Sequence, residues 1–141
     1  MTSAQPYQTL RIILFVVAAI CAVGAIVLCF ATSWVLTFGT TPPPSNGFED
    51  ALVKGFGVFV LALGYLLCVA ARDPVRYVAV VDAFIFILLA GAVLNVYGVV
   101  ALGLGAYYPA GYLVARAIAE IILAAVLFWL RPKAGGPLPA P

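Results

Sequence analysis

Between Arg11 and Glu49, and again between Asp82 and Arg116, no side chain carries a charge. Stretches of that length and apolarity leave the chain few folds. Soluble domains carry roughly 25% charged residues, whereas this chain has 9% charged residues, 66% hydrophobic ones and a mean hydropathy of +1.20. The apolar surplus calls for lipid as solvent, and the chain is predicted to be an all-α, integral membrane four-helix transmembrane bundle.

A helix crossing the hydrocarbon core needs about 20 apolar residues. The first such run covers about 12–32. It is longer than the apolar core of a secretory signal, roughly 7 to 15 residues, and Arg11 is a thin basic flank, so it reads as a retained span. A polar connection follows, Thr40-Thr41-Pro42-Pro43-Pro44-Ser45-Asn46-Gly47. Its consecutive prolines forbid helix, and Ser45 or Asn46 can cap the next one. Glu49 and Asp50 then occupy a first turn whose dipole favours negative charge. The second span covers about 51–71 and stops at Arg72-Asp73-Pro74-Val75-Arg76, where proline ends the helix. A third span covers about 77–101. Gly103, Gly105, Pro109 and Gly111 mark a turn, so the second uncharged stretch is two spans, the last covering about 111–130. Residues 1–11 form a short leading segment, 12–131 the transmembrane domain, and 132–141 a Gly/Pro-rich tail predicted to be disordered.

The few basic residues report orientation. Arg11, Arg72, Arg76, Arg131 and Lys133 fall on one side and Lys54 on the other, which by the positive-inside rule puts both termini in the cytoplasm. Trp34, Tyr107, Tyr108 and Tyr112 would form the outer aromatic belt, and Tyr77 and Trp129 the inner one. A net charge of +2, dispersed along the chain, gives no basic patch for nucleic acid.

Helices in lipid associate through close approach and hydrogen bonding, and small residues at helical spacing permit both. Each span has such a stripe: Cys21, Ala25 and Cys29; Gly57, Gly64, Cys68 and Ala71; Gly91, Asn95 and Gly98; Ala117, Glu120 and Ala124. The three cysteines, all inside apolar runs, read as packing residues.

Ionisable groups inside a bilayer cost roughly 2.5 to 3.5 kcal/mol each on insertion scales, so each needs a reason. There are three, Asp82, Arg116 and Glu120. At about 1.5 Å of rise per residue, Asp82 lies about 9 Å from the flanking arginines, Glu120 about 16 Å and Arg116 about 22 Å. Arg116 and Glu120 are four residues apart and can pair on one helix face. Asp82 is at the depth of Tyr65, which allows a hydrogen bond between them, and is shallow enough to reach Arg76 or interfacial water. Asn95 is nearer the level of Arg116. In one reading, Asp82, Glu120 and Arg116, with Tyr65 and Asn95, line an intramembrane pocket or proton path that holds the polar head of a hydrophobic ligand such as a quinone, lipid or pigment. In the other, which is favoured, they form a network fixing helix register or meeting a partner subunit.

The chain has no histidine. That removes the usual axial haem ligand, the imidazole for copper or non-haem iron, and any Ser-His-Asp or Cys-His set. No phosphate loop or paired metal-ligand motif occurs either, so no catalytic residue, metal site or cofactor is assigned and a non-enzymatic role is favoured. The expected partners are the bilayer and other membrane subunits or further copies of the chain.

The order of features, a long first helix, a polar outer loop, a second helix ending in Ala71-Arg72-Asp73-Pro74 with Arg76, then two closely spaced spans, resembles the small bacterial four-span proteins of the DoxX-like kind. The likeness covers about Gly55 to Leu130. It implies a four-helix bundle in a bacterial inner membrane with a quinone-linked or lipid-linked accessory role, and it transfers no catalytic residue. Together these readings predict a small accessory or structural subunit of a larger membrane complex.

Overall fold

A computed structural model describes residues 7–31, 47–106 and 108–132. Trp34, the Pro42-Pro43-Pro44 run, the caps Ser45 and Asn46, Tyr107, Lys133 and the rest of the tail lie outside the described residues, as does the side chain of Glu49. The described chain forms four α-helices: α1 (Gln8–Phe30), α2 (Gly47–Arg72), α3 (Val78–Val100) and α4 (Ala110–Leu130), with a short 3₁₀ turn at Leu104–Ala106 before α4. All four are long and apolar enough to cross a membrane, and among the described residues there is no strand. The protein is therefore an all-α, multi-pass membrane protein.

The helix ends follow local chemistry. α1 starts ahead of Ile12, at Gln8, and takes Arg11 into its first turn, because a helix continues past the edge of the apolar run where its backbone is still paired; Arg11 N–H donates to Tyr7 O at 3.0 Å. α2 likewise begins at Gly47, ahead of Ala51. It stops at Arg72, before Pro74. The link to α3 is a tight turn in which Asp73 Oδ1 accepts the Arg76 N–H at 3.1 Å and Asp73 O accepts the Tyr77 N–H at 3.1 Å. Pro74 is fully buried beneath it. Beyond α3 the chain reverses at Gly103, whose φ of +66° is a left-handed conformation that glycine adopts without a Cβ clash. The third and fourth helices lie within a residue of the spans read from the sequence at either end.

Helices α1 and α2 pack along each other, as do α3 and α4, so the molecule is a pair of helical hairpins. Both are antiparallel. In the first, Gly64 lies against Ala18 and Cys21, and Gly57, farther from the C-terminal end of α2, against Ala25 and Cys29. In the second, Asp82 meets Arg131 while Asn95 meets Glu120.

The hairpins meet at one end. The shared core joins Leu10, Leu14 and Ala18 of α1, Leu67, Ala70 and Ala71 of α2, Val81, Phe84 and Ile85 of α3, and Ala124 and Leu127 of α4. Every one of these belongs to the half of its helix nearest the Asp73–Tyr77 turn, here called the turn end. At the opposite, loop end, the buried residues Ala25, Ala92, Leu113 and Ala117 stand outside that shared core.

Candidate functional site

Besides the Lys54–Asp50 pair at 2.6 Å near the start of α2, the ion-paired residues of the spans fall into two groups, both built on the second hairpin. The deeper one centres on Glu120. Its side chain is only 15% exposed. Oε1 accepts the Arg116 Nε–H at 3.0 Å, and Oε2 accepts from Asn95 Nδ2 on α3 at 3.0 Å. The first contact is the four-residue spacing expected within one helix; the second ties α4 to α3. Room for the carboxylate comes from Gly91, one turn before Asn95, where a Cβ would stand 3.1 Å from Oε2. The stripe Gly91, Asn95, Gly98 thus has a divided purpose. Gly91 admits Glu120, and Asn95 binds it. Gly98 makes way for Leu104 of the connecting turn, whose Cδ1 would stand 2.6 Å from a Cβ at that position, too close for any side chain without a shift of the leucine.

Arg116 is different from its partner. Its side chain is 53% exposed although it lies on the stripe of α4 that continues through Glu120, Leu123 and Leu127, and both leucines pack into or against the shared core. What covers this stripe at the turn end no longer covers it at Arg116.

The second group is at the turn end. Asp82 Oδ1 accepts from Arg131 Nη1 at 2.7 Å, and the Arg131 guanidinium lies 4.4 Å from the centre of the Phe128 ring. Both charged side chains are partly exposed. This tie also joins α3 to the end of α4, about 20 Å along α3 from Asn95 at the helical rise. Arg131 reads in the sequence only as a marker of orientation. The signal that identifies it as the partner is its depth: Asp82 is one turn inside α3, and Arg131 follows the last residue of the antiparallel α4.

The hydrogen bond between Tyr65 and Asp82 that their common depth allows is not formed. Tyr65 is 71% exposed and lines a shallow apolar groove on the outer face of the first hairpin, with Phe15, Ala19, Ala22 and Cys68. Depth along a helix fixes height but not direction around the axis, and Tyr65 faces away from the second hairpin. Asp82 reaches neither Tyr65 nor Arg76; Arg76 instead stacks over Tyr77 at 5.5 Å. Of the residues named from the sequence, the structure brings Arg116, Glu120 and Asn95 together and leaves Asp82 and Tyr65 apart from them.

The cysteines are free and half-buried. Cys21 and Cys29 face the α2 glycines, and Cys29 Sγ stands 3.8 Å from Lys54 O, a packing contact rather than a reactive arrangement. Chemically, the Glu120 cluster holds a carboxylate with both oxygens already accepting, and it exposes a guanidinium. Compared with known proteins, the chain matches no family model, no curated protein and no solved structure.

Proposed function

We propose that the protein is a small non-catalytic membrane subunit that packs against a larger membrane complex. The observation that carries this reading is the use of the intramembrane charges. Asp82 is tied to Arg131 at one end of the second hairpin, and Glu120 to Arg116 and Asn95 toward the other. Groups arranged as separate cross-helix ties set the register of α3 against α4, which is the role polar side chains commonly have between helices in lipid. The reading extends to a bacterial inner membrane and an accessory role of the kind found among DoxX-like proteins, supported by the order of features in the sequence. Arg11, Arg72, Arg76 and Arg131 all belong to the turn end and Lys54 to the loop end, which supports cytoplasmic termini.

Isolation from native membranes in mild detergent tests the proposal. A stoichiometric set of co-purifying membrane polypeptides is expected. A chain that runs alone under every mild condition overturns it. For orientation, reporter fusions at the two termini are expected to report the cytoplasm at both.

The alternative, a binder or enzyme for a hydrophobic small molecule, draws support from one observation, the exposure of Arg116 at membrane depth. Its site is reduced to Arg116, Glu120 and Asn95.

A further inference from the structure

Arg116 poses a physical problem that its pairing with Glu120 only half answers. A guanidinium has five N–H donors in a planar fork. Among the described residues, Arg116 donates from Nε to Glu120, which leaves the edge formed by the two terminal nitrogens open to a further acceptor. With the side chain 53% exposed in an apolar span, those donors face either hydrocarbon, at a cost of several kcal/mol, or an acceptor brought by something else.

Its depth selects the acceptor. Arg116 is six residues after Ala110, the first residue of α4, so its Cα lies about 9 Å inside the loop end of the helix at the normal rise. With Nε held by Glu120, one turn deeper in the helix, the head does not extend toward the loop end but stays near the level of Arg116 itself. A half-exposed guanidinium at that depth thins the bilayer locally, which brings headgroup phosphates of the loop-side leaflet down to it. Asn95 and Gly91 add a second requirement. They hold Glu120 in place from the neighbouring helix, and Glu120 in turn holds Nε, so the plane of the fork is fixed before anything binds.

The geometry points to Arg116, positioned by Glu120 and Asn95, as a binding site for a phosphate group, and specifically for the headgroup phosphate of a lipid in the loop-side leaflet. A planar fork with one edge occupied and the other outward matches two oxygens of a phosphate bidentately. The neighbouring carboxylate prevents the site from holding an unbalanced positive charge when empty. This site goes beyond the accessory-subunit reading and does not depend on it.

The test uses the full chain purified in an uncharged sugar detergent, with a short-chain phosphatidylglycerol titrated in and retention followed by native mass spectrometry. Arg116→Gln is expected to weaken retention about tenfold, the loss of a bidentate charge-assisted contact. Arg116→Lys keeps a positive charge beside Glu120 without the fork, and an intermediate loss is expected. Arg76→Gln, at the turn end, serves as the control and should leave retention unchanged. Two parallel arms separate the sources of phosphate: an uncharged diacylglycerol of the same chain length should not be retained, and inorganic phosphate at millimolar concentration should not displace the lipid. Equal retention by the unaltered protein and both Arg116 variants overturns the site. Displacement by inorganic phosphate overturns its assignment to a lipid. Should Arg116→Gln fail to give a monodisperse protein, the comparison with Arg116→Lys decides alone.

Discussion

A carboxylate held from two helices responds differently according to which partner is removed. Arg116→Leu leaves Glu120 inside the hairpin with only Asn95, and an unpaired buried charge is costly, so a loss of about 3 kcal/mol in thermal stability in detergent is expected. Glu120→Gln keeps an acceptor for Asn95 and frees an arginine that is already half exposed and can extend toward the interface. Its loss should be about 1 kcal/mol or less, the size of one interhelical hydrogen bond in a membrane. Equal losses for the two would mean that the pairing does not hold the hairpin. At this scale the sequence is legible where spacing along a single helix decides the contact, as for Arg116 and Glu120. It is not legible where the answer lies in the direction around the axis: nothing in the spacing of Tyr65 tells which neighbour it faces, and Arg131 is hidden as a partner of Asp82 because a basic residue after a span already has an interfacial reason to be there.

Between elements, glycines set how closely the helices approach. At Gly57 an added Cβ would meet Cys29 Sγ at 2.7 Å, Leu28 Cβ at 3.0 Å and the Ala25 carbonyl at 3.3 Å. Gly57→Ala should therefore push α1 from α2 and cost about 1 to 3 kcal/mol, the usual range for overpacking. Because the nearest atom belongs to a side chain, Cys29→Ala in the same chain should restore part of that loss, and melting temperatures of the two single variants and the double variant would measure the coupling. Additive losses would place the strain elsewhere. Gly64 allows no such rescue, since its close neighbours are the Cys21 Cβ at 3.1 Å and the Ala18 carbonyl at 3.2 Å, atoms that move only with the helix. The small-residue stripes make the hairpin interfaces readable in advance, and Gly57 and Gly64 meet α1 at the stripe residues Ala25, Cys29 and Cys21. Gly98 is the exception: its neighbour is Leu104 in the connection, which helical periodicity cannot anticipate.

For the molecule as a whole, the meeting of the hairpins at the turn end makes one prediction about which residues hold them together. Leu127 is fully buried in the shared core, whereas Leu113, almost as buried on the same helix, stands outside it. With a protease site inserted between Val75 and Arg76, the cut protein should stay associated in detergent, and Leu127→Ala should let the halves separate while Leu113→Ala should not. Separation by both, or by neither, would mean that the hairpins are joined along their whole length. The number of spans and their antiparallel order are evident from charge and hydropathy alone. The grouping into two pairs is not, because every span carries a small-residue stripe and no stripe names its partner.

The tie between Asp82 and Arg131 bridges a separation of 49 residues. At a synthesis rate of about 5 to 20 residues per second, the arginine leaves the ribosome about 2 to 10 s after the aspartate. Through that interval the third helix carries a carboxylate whose partner does not yet exist, and Asn95 likewise waits for Glu120. Neither α3 nor α4 is complete as an independent insertion unit. Joint insertion of α3 and α4 is therefore expected, since each supplies the partner of a charged or polar side chain on the other.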